Sequence, residues 1–515
     1  MSQIRRSIAS RQLKKFLSET DNEELFIHVW ALDAVQSGRA SVGRSLLICP
    51  DQAETRSLSS NFFVHKWEIE TLLNEALATD KVKNPYGLST YRLNLRTFEA
   101  TVTLINALKK LENVDDGIAG KRTNIIELLP RLAHRQFEWQ RGFFSKEQIY
   151  RSMFIYGDRL SGEYFQQAYG LSLKDFFYCG FALLAILKEH PGFVPTLDLA
   201  DIGVSEEMKN AVFARLSTSH HEIARAAKKM RAIDFHVAYK KSVLRQTPLV
   251  RFDESSGAIR CPLVSLLEWR ITSGLYYDLV GGGSAIWNEI GDRFHLYAHK
   301  FLKEMLRDVS VDADYEYRKG RYQTPDILVS RNRKIVVAIE CKAKKMTFEA
   351  RFSEAPIADA RIGYDEIAKG VFQIWRFFFH CRTGVIQQSV DDLSVGVVLT
   401  LDPWLEVANS SRNEVLKKAK EIAAKREPDM VLDDFRPIVF CSIDDFEYTI
   451  GRINCTASVL DVLRKASEDR FAGYHLASIL RDFFPSAKSK RRYPFRQDVS
   501  ALMKDLGLSP FSRRK

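Results

Sequence analysis

Residues 315–345, YEYRKGRYQTPDILVSRNRKIVVAIECKAKK, decide the fold of this chain. They predict a β-meander with a polar first strand that ends near Tyr317, a second strand over 326–329, and a third over 334–342 after a basic turn at 331–333. The third strand is rich in β-branched residues, which is the composition of a buried central strand. Charged residues at its end therefore need an explanation other than packing.

Two carboxylates and a lysine are predicted to meet at one end of this hairpin. Glu340 and Lys342 lie two positions apart on the third strand, so both side chains point to the same side of the sheet. Asp326 begins the preceding strand, and pairing about the turn brings it near Glu340. Two carboxylates suit Mg²⁺, which keeps several water ligands, and a lysine can hold a water molecule or neutralise charge on a phosphate. The alternative is an edge hairpin whose charges are solvated.

Pro325-Asp326 followed by Glu340-Cys341-Lys342 resembles the PD-(D/E)xK signature of restriction-endonuclease-like nucleases. The resemblance implies a mixed β-sheet flanked by helices in the order α-β-β-β-α-β, and DNA cleavage that uses Mg²⁺, with Mn²⁺ as a substitute. It also implies that Asp326 and Glu340 bind the metal and that Lys342 is catalytic. The expected fold class is an α+β or α/β multidomain chain, with a mostly helical N-terminal half and this sheet in the C-terminal half.

The segment before the hairpin, 285–308, predicts a helix whose apolar residues recur every three or four positions. The family often carries an acidic residue on this helix just after an aromatic residue, and here that position holds His295. Either His295 is itself a metal ligand, as in RecB-like members of the family, or Glu289 or Asp292 replaces the missing acid. His299 lies four residues further on, and for it we favour a solvated helix face.

The segment after the hairpin, 362–379, predicts a second helix that carries Gln373. Its neighbourhood resembles the Gln-x-x-x-Tyr element of RecB-like nucleases, with Phe377 where tyrosine is usual. The resemblance implies that Gln373 orients a water molecule or the substrate; the alternative is a polar residue at the rim of a core helix. Strands predicted at 395–401 and 437–441 would complete the sheet.

Composition limits the classes of protein to consider. A length of 515 residues allows two or three domains, and a net charge of +11 favours a polyanionic partner without identifying it. The seven scattered cysteines contain no C-x-x-C pair, which argues against a zinc ribbon or a disulfide scaffold and fits a cytoplasmic location. No apolar run reaches the length of a transmembrane helix, and the N-terminus lacks the apolar segment of a secretory signal.

We predict four regions along the chain. Residues 1–60 form a small N-terminal segment, with β-strands expected at 26–32 and 46–48. Within it, GRASVGRS at 38–45 is rejected as a phosphate-binding loop, because Arg44 replaces the lysine and Pro50 stops the helix that should follow, so no nucleotide cofactor is implied. The other regions are a helical domain for sensing, recognition or oligomerisation (61–244), the nuclease-like domain (245–455), and a helix with a basic tail (456–515).

The basic tail admits two interpretations that the sequence does not separate. It is either a solvated end, or a clamp in which lysines, arginines, Tyr493 and Phe495 contact nucleic acid.

The leading hypothesis is a Mg²⁺-dependent endodeoxyribonuclease that acts on DNA, although the residues do not distinguish DNA from RNA. The helical half would form homo-oligomers or bind a partner protein. By analogy with fused nucleases, the protein would serve bacterial restriction or anti-phage defence. One alternative, favoured by the departures at His295 and Phe377, is a catalytically inactive nuclease-fold protein that binds nucleic acid or a partner. Another is a helical scaffold in which the Glu-x-Lys triplet is coincidental.

Overall fold

The chain divides into two compact units, seen in a computed structural model. The first unit comprises residues 1–125, 135–149 and 162–279, and the second comprises 126–134, 150–161 and 280–515. Lys488, Lys490 and 506–515, which belong to the predicted basic tail, lie outside the described residues. The structure describes residues 2–82, 86, 91–120, 125–143, 145–233, 236–353, 355–405, 408–487, 489 and 491–505.

Helices dominate the first unit, which also contains a small sheet. The strands are β1 Gly192–Phe193, β2 Ser217–Ser219, β3 Leu249–Arg251 and β4 Ile259–Arg260, in the order β1-β4-β3-β2. Three helices, α6 to α8, include residues of both units. The helices up to residue 279 are α1 Ser2–Ser18, α2 Asn22–Gln36, α3 Ala40–Gly43, α4 Lys66–Leu77, α5 Phe98–Ala119, α6 Ile125–Arg141, α7 Lys146–Tyr156, α8 Arg159–Tyr169, α9 Leu173–Glu189, α10 Glu206–Leu216, α11 His220–Ile233, α12 Val264–Arg270 and α13 Tyr276–Leu279.

The strand predicted at 26–32 is wrong, because these residues lie inside helix α2. Asp21 caps that helix by accepting a hydrogen bond from the backbone N–H of Glu24 at 2.9 Å. Of its 15 residues, 13 are buried, so the helix is covered all round and its sequence lacks the one-sided apolar period of a surface helix. The strand predicted at 46–48 is reduced to a single bridge between Ile48 and Thr97. Residues 1–60 are therefore part of the helical unit.

The boundary between the units also differs from the predicted one at residue 245. Residues 245–279 belong to the first unit, and strand β3 pairs there with β2 and β4. Arg245 explains this placement, because its guanidinium forms ion pairs with Glu70 at 2.7 Å and Glu138 at 2.9 Å. Helix α12 likewise packs on α9 of the first unit.

The strands of the second unit are β5 Ser310–Ala313, β6 Glu316–Tyr317, β7 Tyr322–Gln323, β8 Ile327–Arg331, β9 Lys334–Lys342, β10 Ser389–Thr400 and β11 Ile438–Ser442. Five of them form a mixed sheet in the order β11-β10-β9-β8-β5, in which β9, β10 and β11 are parallel and β8 is antiparallel to both β9 and β5. Its helices from residue 280 onwards are α14 Ser284–Met305, α15 Phe348–Arg351, α16 Pro356–Asp359, α17 Arg361–Arg382, α18 Asn409–Arg426, α19 Ile443–Ile450, α20 Thr456–Ala466, α21 Leu476–Phe483 and α22 Arg496–Asp505.

The predicted hairpin of β8 and β9 forms, but β8 extends to Arg331 and the turn has two residues where three were predicted at 331–333. Asn332 and Arg333 make the two-residue turn with φ values of 51° and 62°, the left-handed conformation that matches the twist of a hairpin. The pairing places Ile327 opposite Ile339. Strand β9 is buried from Ile335 through Glu340, as expected of a central strand covered on both faces.

The first strand of the predicted meander differs from the one observed. The strand that pairs with β8 is β5, whereas Tyr317 belongs to the separate hairpin of β6 and β7. Arg318, Lys319 and Gly320 all have positive φ values and turn the chain between those two short strands. The polar segment up to Tyr317 is therefore divided between two sheets.

Helices α17 and α18 make the crossovers that the parallel strands require. Helix α17 connects β9 to β10 and packs on both, while α18 connects β10 to β11 and was not predicted. The buried face of α18 consists largely of short side chains such as Ala419 and Ala423, which give little hydrophobic signal in the sequence. The core beneath α17 contains Leu328, Ile335, Ala338, Tyr364, Ile367, Ala368, Val371, Ile374, Trp375, Phe377, Phe378, Val398, Val415, Ala419 and Ile438.

Two aromatic residues of the tail pack within the second unit. The hydroxyl of Tyr493 shares a hydrogen bond of 2.5 Å with the hydroxyl of Tyr297. The ring of Phe495 lies 5.6 Å from the ring of Tyr297 and 5.4 Å from that of Tyr150. Because packing occupies these rings, the predicted nucleic-acid clamp does not include Tyr493 and Phe495.

Among the described residues, no single helix combines the length and apolarity needed to cross a membrane; α8 and α9 meet those limits only together, with a bend of 71° between them. None of the seven cysteines, all of which lie within the described residues, forms a disulfide.

Candidate active site

Asp326 lies beside the end of β9. It precedes Ile327, the first residue of β8, and the antiparallel register puts it next to Glu340. Its Oδ2 atom accepts a hydrogen bond from the backbone N–H of Cys341 at 2.6 Å. This bond fixes the carboxylate against the strand that carries Glu340 and Lys342. The pairing of the two strands thus brings the two predicted acids to one end of the sheet.

Lys342 connects β9 to α17. Its Nζ atom donates to Glu340 Oε1 at 2.8 Å and to Gln373 Oε1 at 3.2 Å. Gly370 allows the helix to come this close, because a Cβ atom there would lie 2.8 Å from Lys342 Cε and 3.1 Å from Glu340 Cγ. Lys342 and Gln373, which are 31 residues apart in the sequence, are thus joined by a hydrogen bond in one contact network.

Glu340 is short of partners for a buried carboxyl group. The residue is 2% exposed, and among the described residues its Oε2 atom has no hydrogen-bond partner. Burial, together with the negative charge of Asp326, raises the pKa of Glu340 to about 7 against the lowering effect of Lys342. An orphaned carboxylate oxygen in a low-dielectric environment is costly unless a donor or a cation reaches it. Glu340 therefore fits a cation ligand.

The pKa of Asp326 is raised for similar reasons. Burial raises its pKa to about 6, against the lowering effects of the Cys341 N–H and the Lys342 ammonium. The negative charges of Asp314 and Asp292 contribute to this rise in the pKa of Asp326.

The pKa of Lys342 is shifted by burial and by two neighbouring carboxylates. Burial alone would lower its pKa, but the neighbouring carboxylates Glu340 and Asp326 raise it above the ordinary value. The end of β9 thus holds one lysine and two enclosed carboxylates, with two further acids close to Asp326. This donor set fits a hard divalent cation that accepts two protein carboxylates and keeps water ligands. Within the described ranges, no three His, Cys, Asp or Glu side chains converge as a closed metal cluster.

His295 lies beside Asp314, at the edge of this group. Its Nε2 atom is 3.5 Å from Asp314 Oδ1 and, within the part of the chain that is described, makes no hydrogen bond although it is buried. Asp314 in turn donates its backbone N–H to the carbonyl oxygen of Asp326 at 3.0 Å. His295 therefore reaches Asp326 through Asp314. His299 is bonded elsewhere, with its Nε2 atom 3.2 Å from the carbonyl oxygen of Val311.

Asp314 was not among the residues predicted for the site. It follows the last residue of β5, the strand that pairs with β8, so its position corresponds to that of Asp326 before β8. An acidic residue directly after a strand is the signal that could have identified it. The sequence did not reveal Asp314 in this position, because the first strand was predicted to end near Tyr317 and not at Ala313.

The carboxylate of Glu289 accepts hydrogen bonds from the start of helix α8 and does not join this group. One of its carboxylate oxygens accepts the backbone N–H of Leu160 at 2.8 Å, and the other accepts the backbone N–H and the hydroxyl of Ser161 at 2.7 and 2.6 Å. These bonds cap the first turn of α8, whose free N–H groups attract an acidic side chain. With both oxygens engaged, we leave Glu289 out of the candidate metal shell.

Gln373 and Phe377 occupy different environments on α17. Gln373 is half-buried and contacts Lys342, whereas Phe377 is fully buried in the core beneath the helix. The phenylalanine at the expected tyrosine position is thus a packing residue.

Comparison with known proteins gives no match: neither a family model, nor a curated protein, nor a solved structure corresponds to this chain.

Proposed function

We propose that this chain is a metal-dependent nuclease that hydrolyses phosphodiester bonds of DNA. The observation that carries the proposal is the convergence of Asp326, Glu340, Lys342 and Gln373 at the end of β9, where one carboxylate oxygen of Glu340 has no hydrogen-bond partner among the described residues. The succession of α14, β5, β8, β9, α17 and β10, with the short β6–β7 hairpin inserted, supports a restriction-endonuclease-like fold for the second unit.

Asp326 and Glu340 are the residues that would hold Mg²⁺. A bound Mg²⁺ polarises the phosphate and lowers the pKa of a coordinated water molecule. Lys342 faces the same point and carries a charge that its neighbours stabilise, so it would orient the attacking water and neutralise negative charge on the phosphate. Gln373 holds the Lys342 ammonium in place through its side-chain oxygen. His295 and Asp314 would act at the rim, next to Asp326.

Seven described cysteines without a disulfide favour action in a reducing compartment, and we propose a cytoplasmic location. The net charge of +11 is consistent with a polyanionic substrate.

The test is a cleavage assay on closed circular and linear DNA with Mg²⁺ or Mn²⁺, and with EDTA as the metal-free control. We expect metal-dependent nicking by the wild-type protein and a loss of at least about a hundredfold in Lys342→Ala, the scale on which removing one charge-stabilising group acts. Lys334→Ala is the matched control, because Lys334 is exposed at the opposite end of the same strand. It should cut as well as the wild type.

The outcomes separate the hypotheses. Equal cutting by Lys342→Ala and the wild type would exclude this site as the centre of the activity. Tight, salt-sensitive DNA binding without cutting in any metal would favour the catalytically inactive nuclease-fold protein instead.

A further inference from the structure

A basic cavity adjoins the candidate active site. It has a volume of about 440 Å³, lies between helices α17 and α18, and shares Gln373 with the contact network of Lys342. Four of its seven lining residues are cationic and none is acidic. The lining residues are Lys369, Phe372, Gln373, Arg376, Ile422, Lys425 and Arg426.

Two arginines of this cavity are held by aromatic rings. The guanidinium of Arg376 lies 5.4 Å from the ring centroid of Phe372 and 5.3 Å from that of Tyr322, while the guanidinium of Arg426 lies 6.0 Å from Phe372. Phe372 is 2% exposed and so provides a fixed support for both arginines. Cation–π contacts of this kind orient a guanidinium without neutralising its charge.

The positive charge of the cavity is largely uncompensated. Lys369 forms an ion pair with Glu366 at 2.7 Å. Across the described part of the chain, Arg376, Lys425 and Arg426 have no carboxylate ion-pair partner. The Nε atom of Arg376 is buried and makes no hydrogen bond to any described residue. Among the described residues, three cations without an ion-pair partner thus surround one cavity, which is the chemistry of an anion site.

We propose that this cavity binds backbone phosphates of the nucleic-acid strand that enters the Asp326–Glu340–Lys342 site, with Arg376 and Arg426 as the phosphate-binding pair. A guanidinium presents two parallel donors that match a phosphate. The identification of the ligand as a nucleic-acid strand rests on the proposed nuclease function. Gln373 links the two places, since it lines the cavity and receives the Lys342 hydrogen bond. Binding there would hold the strand beside the reacting phosphate.

The test measures binding separately from cutting. A fluorescein-labelled DNA duplex is titrated with the full chain in EDTA, and the fluorescence anisotropy is recorded over a series of salt concentrations. For the double variant Arg376→Gln with Arg426→Gln, we expect affinity to fall at least about tenfold and the slope of log affinity against log salt to fall by about 2, roughly one unit for each lost phosphate contact.

Matched variants show whether position or net charge is responsible. Arg331→Gln with Lys334→Gln also removes two positive charges, but at the exposed turn of the β8–β9 hairpin, and should leave the salt slope unchanged. Arg376→Lys with Arg426→Lys keeps both charges and loses the two-donor geometry. It should preserve the salt slope while weakening affinity, an outcome that misfolding would not produce.

The proposal is overturned if the Arg376 and Arg426 double glutamine variant binds like the wild type, or no worse than the variant of the hairpin turn. That result is independent of cleavage. If the wild-type chain cuts DNA and the double variant binds normally, the cavity proposal fails and the nuclease proposal stands. If no cutting occurs but the double variant loses affinity, the cavity proposal stands and the nuclease proposal fails.

Discussion

Gly370→Ala tests the contact between α17 and the end of β9 with the addition of one methyl group. The new Cβ atom would lie 2.8 Å from Lys342 Cε and 3.1 Å from Glu340 Cγ. Carbon atoms pack at about 3.5–4.0 Å, so the helix or the lysine must move by roughly 1 Å. Lys342 cannot move freely, because its ammonium is bonded to both Glu340 and Gln373.

Two effects on stability oppose each other. Replacing glycine by alanine within a helix stabilises the folded state by about 1 kcal/mol, and overpacking a well-filled contact costs about 1–3 kcal/mol. The expected net effect is a loss of about 0–2 kcal/mol in the free energy of unfolding. Displacing Lys342 by this distance should reduce cleavage by about a hundredfold if the site acts as proposed.

Gly291→Ala is the matched control. Gly291 lies inside α14, which is as long as α17, and an added Cβ atom there would meet nothing within 4 Å. This variant should gain about 1 kcal/mol and keep its activity. Urea unfolding followed by circular dichroism measures both proteins, and the cleavage assay is run on the same samples.

The geometry would be refuted if Gly370→Ala were stabilised as much as Gly291→Ala. A lowered stability with unchanged cleavage would have a different meaning: the helix contact would be correct, but Lys342 would have no part in catalysis.

Two further predictions concern metal binding at the site and a buried histidine of the first unit. If Asp326 and Glu340 bind Mg²⁺, the metal at about ten times its Kd should raise the free energy of unfolding by about 1.4 kcal/mol, and the double variant Asp326→Asn with Glu340→Gln should show no such rise in a thermal shift assay. His28 is buried, with its ring nitrogens 2.5 Å from the carbonyl oxygen of Leu95 and 2.8 Å from the hydroxyl of Thr101. Burial lowers the pKa of His28 to about 4, so the unfolded chain takes up the proton first. The stability from neutral His28 is complete above the ordinary pKa of about 6.5 and is lost as pH falls towards 4, by about 3 kcal/mol in all. His28→Gln should lose less stability than the wild type between neutral pH and about pH 4.5 in urea unfolding; an identical pH dependence would contradict this assignment.

Local pattern was enough to predict much of the second unit. The stripe of α14 is buried at Ile286, Ile290, Phe294, Tyr297, Phe301 and Met305, as its spacing predicted. The bounds of β9 were predicted residue for residue, because charged residues lie at both ends of its apolar run. Helix α2 was mistaken for a strand because burial on all sides removes the helical period.

The hairpin that places Asp326, Glu340 and Lys342 at one end of a sheet could be predicted from the sequence. That was possible because a short turn restricts the register of the strands on either side of it. Only the tertiary structure decided that Gln373 meets Lys342, that Glu289 caps α8, and that Asp314 joins Asp326. The basic cavity was likewise invisible, since its arginines come from two helices far apart in sequence. Contacts between separate elements depend on how close their backbones approach, and here a single glycine, Gly370, sets that distance.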